Sequence, residues 1–219
     1  MNSIGEITMY TWHFSNGQLG YDRSDEIKAG LSLACAGDSI GLCDYGFHSS
    51  NLLIDALRYA EGNFLSLCEV GGKIIEGDDE VVSSIRRHIA VGAIERTLHL
   101  FAIWCAEQAL SLVDEPDARS IEALRVKRLW MDGKATDEEL AAAWDAAADA
   151  AWDAARDRAA AAAAAAAWAA AGAAARAAAV VAARDAVWDA ARDKQNVKLT
   201  EMVLELPEFA PYKDLYIAQ

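Results

Sequence analysis

Proline and basic residues are both scarce in this chain. It has three prolines in 219 residues, and none lies between residues 117 and 206, so long helices are permitted there. Lysine and arginine number 20 against 34 aspartates and glutamates, which gives a formal net charge of −14 at pH 7. No basic stripe exists, which argues against nucleic acid as a partner. A local group of Arg86, Arg87 and Arg96 could still hold one phosphate.

Cysteine patterns typical of disulfide frameworks or zinc modules are missing as well. The four cysteines include no Cys-x-x-Cys pair, and two of them lie in apolar runs, so we expect reduced, buried thiols and no metal site. A zinc site formed by Cys35, Cys43 and His48 is an alternative, but its spacing matches no common module. The N-terminus has no signal-peptide pattern, and the uncharged run at 159–175 is short and rich in alanine. We therefore expect a cytoplasmic protein without a membrane span.

Common catalytic motifs are also absent. The sequence contains no P-loop, no G-x-G-x-x-G, no G-x-S-x-G and no H-E-x-x-H. The absence of these motifs makes an enzymatic function less expected. It does not exclude one, because some enzymes lack all of them. We therefore predict no catalytic residue and favour a non-enzymatic function that needs no cofactor.

The most prominent feature that is present is an alanine-rich run from Ala141 to Ala191. Alanine is the best helix former, and a Thr136-x-x-Glu139 capping box predicts that a helix begins just before this run. Gly172 leaves two alternatives open, a single long helix or a hairpin. Methyl groups are thin spacers that let helix axes approach closely, so we expect residues 136–206 to form an oligomerisation or packing module.

The rest of the chain predicts a mixed fold. Alternating apolar and polar residues with intervening turns make residues 1–113 an α+β head domain. Residues 114–135 form a connecting amphipathic helix, and residues 207–219 form a C-terminal tail. The predicted fold class is an α+β N-terminal domain followed by a long alanine-rich α-helical module, mainly α overall.

Four short segments resemble an uncharacterised domain family of phage and prophage proteins. They are LCDYGFHSS at 42–50, DALRYAEG at 55–62, LCEV at 67–70 and WCAEQAL at 104–110. The stretch at 121–140, followed by alanine-rich repeats, is similar to the continuation in such proteins. The resemblance implies a phage-encoded protein, but it brings no established activity with it.

A fainter similarity is to the ADP-ribosyltransferase core. Trp12-His13, then Gly46-Phe47-His48, then Tyr59 and finally the strand at 67–70 follow the order of that fold. The resemblance implies that His13 holds the ribose of NAD, or of a related nucleotide, and that Phe47 and Tyr59 enclose the nicotinamide. Phe14 stands where that family has a glycine, and no late glutamate has an evident catalytic context.

These observations give a set of ligand-binding candidates, and each has a simpler explanation. The aromatic candidates are also ordinary core residues, and His48 is also a surface or helix-capping residue. The candidates for a ligand site in the head are His13, Phe47, His48, Tyr59, Arg86 and Arg87.

Three functional hypotheses follow. The first is a phage-encoded interaction protein that forms a homo-oligomer through its alanine-rich helices. Its head would sequester a nucleotide-type molecule or bind a host defence protein. The second is an enzyme that resembles ADP-ribosyltransferases and binds NAD. The third is a structural virion or filament protein.

Overall fold

The structure is a computed structural model that describes residues 7–19, 25–169 and 190–217. The chain divides into two compact units. The first, here the sheet unit, comprises Met1–Phe101 and Arg192–Gln219, and the second, here the helical unit, comprises Ala102–Ala191. The sheet unit is thus built from both ends of the chain.

The sheet unit contains five strands, and helices occur in both units. The strands are β1 (Ile7–Ser15), β2 (Ser32–Ala34), β3 (Phe47–Ser49), β4 (Phe64–Glu76) and β5 (Val81–Ala93). The helices are α1 (Leu53–Arg58), α2 (Glu95–Leu110), α3 (Ala118–Met131), α4 (Asp137–Ala169), α5 (residues 190–204) and α6 (Lys213–Ile217). Two short 3-10 helices cover Gly37–Ser39 and Ala210–Tyr212.

The centre of the sheet is a long antiparallel hairpin formed by β4 and β5. The turn between them is closed by the Gly77 amide, which donates to the carbonyl of Glu80 at 2.8 Å. β1 pairs with the other edge of β4, and both β2 and β3 pair with β5. All of these pairings are antiparallel, and β4 and β5 are joined by a short turn.

The sheet curls so that its two ends meet. Ser50, which directly follows β3, exchanges two backbone hydrogen bonds with Trp12 of β1, at 2.8 and 2.9 Å. The path β1–β4–β5–β3 therefore returns to β1. Closure of this kind satisfies backbone groups that would otherwise lie unpaired at a sheet edge.

One face of the sheet is apolar and is covered by the C-terminal segment. Trp12, Leu65 and Leu67 are at most 1% exposed, and the Trp12 and Phe209 rings lie 6.1 Å apart. Phe209 also reaches the backbone at Gly92, where an added Cβ would lie 3.1 Å from its ring. Burial of large side chains such as these contributes about 2–3 kcal/mol each and joins the two chain ends.

A β-bulge in β5 provides a second attachment for the C-terminal segment. Leu67 pairs with Ala90 and Cys68 with His88, so Ile89 has no partner in the ladder. The hydroxyl of Tyr212 donates to the carbonyl of Ile89 at 3.0 Å. A bulge leaves one residue outside the regular pairing, and here a side chain from the chain end satisfies its carbonyl.

Helix α5 holds α1 in place through two polar contacts. Arg192 forms an ion pair with Asp55, whose side chain is only 4% exposed. One helical turn later, the side-chain oxygen of Asn196 accepts a hydrogen bond from the Ile54 amide at 3.1 Å. That amide lies in the first turn of α1, where no helical carbonyl is available to accept it.

In the helical unit, α3 and α4 form an antiparallel pair. Arg119, at the start of α3, lies 3.0 Å from Asp153, which is 16 residues into α4. The Glu139 amide donates to the Thr136 hydroxyl at 3.2 Å, and the Thr136 amide donates to the Glu139 carboxylate at 2.8 Å. This reciprocal pair confirms the predicted capping box.

The alanine-rich α4 continues well past its partner. It extends 16 residues beyond Asp153 to Ala169, a further length of about 24 Å at 1.5 Å per residue. The predicted alternatives at Gly172, a straight helix or a hairpin, lie outside the described residues. Among those residues, no helix is long and apolar enough to cross a membrane.

The prediction of a mainly α chain with a long helical module is wrong. The described residues form six helices and a five-stranded antiparallel sheet, so the fold is not mainly α. One cause is the Gly71-Gly72 pair, which resembles the end of a strand. Gly72 has φ +72° and lies at a register shift inside β4, after which the ladder continues to Glu76.

A second cause is the C-terminal part of the chain. The sequence groups residues 136–206 in one module and treats residues 207–219 as a tail. In the structure residues 192–219 belong to the sheet unit, where Leu199, Val203 and Phe209 are fully buried. Leu199 and Val203 continue the helical pattern of the alanine run, so the sequence shows no boundary before residue 192.

Removal of the Arg192 side chain should destabilise the sheet unit. In Arg192→Ala the Asp55 carboxylate stays buried without its cation, and we expect the free energy of unfolding to fall by about 2–3 kcal/mol. This loss is at the low end for buried pairs because Arg192 is 42% exposed. Urea denaturation measures it, with Lys198→Ala on the same helix as the control, since Lys198 pairs only with exposed Glu201. Equal losses in the two variants would contradict the assignment.

Candidate functional site

The second face of the sheet carries polar side chains, and they are buried. Thr11 lies opposite Cys68, Cys68 lies opposite His88, and His13 lies opposite Ser66. Side chains of directly opposed residues share one face, and alternate residues along a strand return to that face. The resulting group is named the polar cluster and consists of Thr11, His13, His48, Ser66, Cys68, Arg86 and His88.

Arg86 is the permanent charge of the polar cluster. It is 5% exposed and lies two residues before His88, on the same face of β5. One guanidinium nitrogen donates to the carbonyl of His48 at 2.8 Å, and the guanidinium carbon lies 5.3 Å from the centre of the Phe47 ring. Burial lowers the pKa of Arg86, and no described carboxylate forms an ion pair with it.

His88 and Cys68 form a neutral pair beside this charge. The sulfur of Cys68 lies 3.7 Å from Nδ1 of His88, and both residues are fully buried. Burial raises the pKa of Cys68 to about 12, so the thiol keeps its proton at neutral pH and can donate it to Nδ1. With the thiol as the donor, the imidazole proton of His88 lies on Nε2; in the other tautomer Nδ1 donates to the sulfur and Nε2 is an acceptor.

Both buried imidazoles of the long strands are uncharged at neutral pH. Burial lowers the pKa of His88 to about 3, with a further contribution from the charge of Arg86. Burial also lowers the pKa of His13 well below its usual value, as do Arg86 and His88, while a hydrogen bond to the His48 backbone acts in the opposite direction. The His13 and His88 rings lie 6.0 Å apart in an edge-to-face arrangement.

Several atoms of the polar cluster have no hydrogen-bond partner. They are buried, and an unpaired buried polar atom costs about 1–3 kcal/mol. Nε of Arg86 is always a donor, whereas the imidazole nitrogens and hydroxyls can donate or accept, so the cluster is polar and carries no negative charge of its own. These atoms are Nε of Arg86, Nε2 of His88, Nε2 of His48, and the hydroxyl oxygens of Thr11 and Ser66.

The structure brings together four of the six residues predicted from the sequence. His13, His48 and Arg86 belong to the polar cluster, and Phe47 contacts Arg86. Tyr59 is 51% exposed, and its hydroxyl donates to Asp79 in the β4–β5 turn at 2.9 Å.

Arg87, the sixth predicted residue, points to the opposite face from Arg86. It forms an ion pair with Glu69 at 3.2 Å. Alternate residues of a strand point to opposite faces, so these two neighbouring arginines have different surroundings. Arg96, the third arginine considered from the sequence, is exposed near the start of α2.

Sequence reasoning missed Thr11, Ser66, Cys68 and His88. One signal for His88 was available, because it stands two residues from Arg86 and therefore shares its face if both lie in a strand. No comparable signal joins Cys68 to His88, since the contact depends on the register of β4 against β5. In the described parts of the chain, no three His, Cys or acidic side chains are arranged to hold a metal ion.

Comparison with known proteins provides no information on the site. The chain matches no protein-family model, no curated protein and no solved structure at significant similarity. The role of the polar cluster therefore has to be argued from its own chemistry.

The neutral state of His88 should make the sheet unit sensitive to acid. Its pKa is about 3 in the folded protein against 6.5 as the ordinary value, so the unfolded state binds more protons between these two pH values. The free energy of unfolding should therefore decrease as pH falls through this window, by at most about 1.4 kcal/mol per pH unit from this group. Denaturation at a series of pH values measures the slope, which His88→Asn should reduce. An unchanged slope in the variant would contradict the assigned protonation state.

Proposed function

We propose that the protein is a non-enzymatic binding protein whose sheet unit holds a small anionic ligand of nucleotide type at the polar cluster. The observation that carries this proposal is the burial of Arg86 without an ion-pair partner among the described carboxylates. An unpaired buried charge costs several kcal/mol, which a bound anion would recover.

The other members of the polar cluster suit the same ligand. Arginine is the preferred side chain for phosphate recognition, since its planar donors match the phosphate oxygens. Neutral imidazole and hydroxyl donors beside it add hydrogen bonds without adding charge. The ring of Phe47, next to the guanidinium, offers an apolar surface of the kind on which nucleobases stack.

Catalysis has less support from the same geometry. A cysteine nucleophile must be a thiolate, and the Cys68 thiol stays protonated because its pKa is about 12. The transferase alternative places a nicotinamide between Phe47 and Tyr59. Tyr59 is instead bonded to Asp79 at the surface, while the Phe47 ring faces Arg86.

The proposal includes the biological setting suggested by the sequence. If the chain is phage-encoded, as the resemblance read from its sequence motifs would imply, it would act in the host cytoplasm. Sequestration of a nucleotide-type signal there would require a protein that binds the signal tightly and is abundant. It would not require catalytic turnover. Binding of a host defence protein remains the competing role for the same head.

Native mass spectrometry of the protein purified from bacterial cells tests the proposal. We expect the wild-type protein to carry an additional small-molecule mass, which Arg86→Gln should lose because the buried charge is gone. Arg87→Gln is the matched control, since Arg87 is adjacent in sequence but faces Glu69 on the other side of the sheet. Loss of the mass in both variants, or its absence from all three proteins, would contradict the proposal.

Thermal unfolding of the ligand-free proteins separates a binding role of Arg86 from a structural one. Replacement of an uncompensated buried charge is expected to leave stability unchanged or higher. A marked loss of stability in Arg86→Gln would show that the guanidinium mainly supports the fold.

A second proposed activity is self-association through the helical unit. Trp144 and Trp152 on α4 are 62% and 71% exposed, and Leu112 after α2 is 87% exposed. Tryptophan side chains bury 150–250 Å² each when covered, so two exposed ones on one helix mark a contact surface. A second copy of α4 is the partner that fits, since its alanine positions permit close helix packing.

Light scattering tests self-association. We expect the wild-type protein to have a mass above that of one chain, and Trp144→Gln combined with Trp152→Gln to shift it toward the monomer. Asp145→Asn on the same helix is the control and should leave the mass unchanged. A wild-type monomer at all concentrations would remove this part of the proposal, and large open-ended polymers would favour the structural alternative.

A further inference from the structure

We infer that a groove between α2 and α3 of one copy receives the exposed tryptophans of α4 from a second copy. The inference rests on the proposed self-association, because it names the surface that covers Trp144 and Trp152. The groove, the tryptophans and the charges around them all belong to the helical unit.

The groove lies between the end of α2 and one side of α3. Its volume is about 640 Å³, within the range of about 300–1,000 Å³ that is typical of ligand pockets. The surface is mostly apolar, which suits the large apolar ring of a tryptophan better than a charged group. The apolar lining residues are Leu110, Pro116, Ile121, Leu124 and Leu129.

The described part of α4 in the same copy cannot fill this groove. Ala123 and Val126 are the buried residues of α3, and α4 is the helix against which α3 packs. At about 100° per residue, these two positions lie on the opposite side of α3 from Ile121 in the groove. Trp144 and Trp152 also point away from α3, since they are 62% and 71% exposed. Contact between the tryptophans and a groove therefore requires a second copy.

Charge favours α4 of a second copy as the occupant. α3 carries four basic side chains and one acidic one, whereas residues 137–153 of α4 carry six acidic side chains and no basic one. Arg125 and Arg128 line the groove, and their partners are glutamates in exposed ion pairs, which contribute little to stability. Both guanidiniums are therefore able to contact an incoming carboxylate. Asp145 and Asp149 are exposed near the tryptophans and supply such carboxylates.

Contact of this kind is head-to-tail, because it joins two different surfaces of the same chain. The groove and the tryptophans lie on opposite sides of the α3–α4 pair, so every dimer leaves one groove and one pair of tryptophans uncovered. Further copies then add until the assembly closes into a ring or continues as an open chain. A variant with only one working surface therefore ends the assembly.

Mixing two variants that each lack one surface tests the inference in the full chain. Ile121→Glu places a carboxylate in the groove, and Trp144→Gln combined with Trp152→Gln removes the inserted rings. We expect each variant alone to self-associate about tenfold or more weakly than the wild type. An equimolar mixture should form a one-to-one heterodimer and stop there, because one groove and one pair of tryptophans remain. Native mass spectrometry identifies this heterodimer, since the two variants differ in mass.

Two further variants control for effects on folding. Arg125→Glu changes a side chain that is 60% exposed, leaves the apolar lining in place, and should weaken association because it repels the acidic α4. Val197→Glu is the matched control, since Val197 is 57% exposed on α5 of the sheet unit, and it should associate as the wild type does. Circular dichroism and thermal unfolding verify that each variant is folded.

The outcomes separate this inference from the proposed self-association. If both groove variants associate as the wild type does while the tryptophan variant does not, the inference is wrong and self-association stands. If the folded variants do not combine in the mixture, the tryptophans contact a different surface of the second copy, and the inference is again wrong while self-association stands. If the wild type is a monomer at all concentrations, both are wrong.

Discussion

The antiparallel ladder between β4 and β5 determines the surroundings of almost every residue discussed above. Its pleat sends alternate side chains to opposite faces, so Leu65 and Leu67 enter one environment while Ser66 and Cys68 enter another. A one-residue change of register would exchange these two sets. The bulge at Ile89 is part of the same arrangement, because it sets Cys68 opposite His88.

The two faces of the sheet differ in composition, and they therefore affect the stability of the fold differently. The apolar face is stabilised in the usual way, by burial of Trp12 against Phe209 and the C-terminal helices. The polar face buries a guanidinium and several polar atoms that have no hydrogen-bond partner, which reduces the stability of the fold. Such a cost is typical of binding sites, where a ligand supplies the missing partners. Thiolate chemistry is disfavoured on this face, because burial raises the pKa of Cys68 to about 12.

Part of the site could be predicted from the sequence, and the limit has a clear cause. His13, Phe47 and His48 came from a resemblance to known motifs, and Arg86 came from a local group of basic residues. His88 and Cys68 were missed because they are 20 residues apart and meet only through strand pairing. Strand geometry also gives Arg86 and Arg87 different surroundings, since neighbouring residues of a strand point to opposite faces of the sheet.

The sequence by itself determined the local structure of this protein. It specified the capping box at Thr136 and the helical character of the alanine run as far as Ala169, because these depend on residues within one or two turns. Tertiary structure alone decided that residues 192–219 join the sheet unit and that polar side chains from β1, β3, β4 and β5 converge on one buried charge. Those outcomes depend on strand register and on which apolar surface the chain end covers, and both are properties of distant segments in contact.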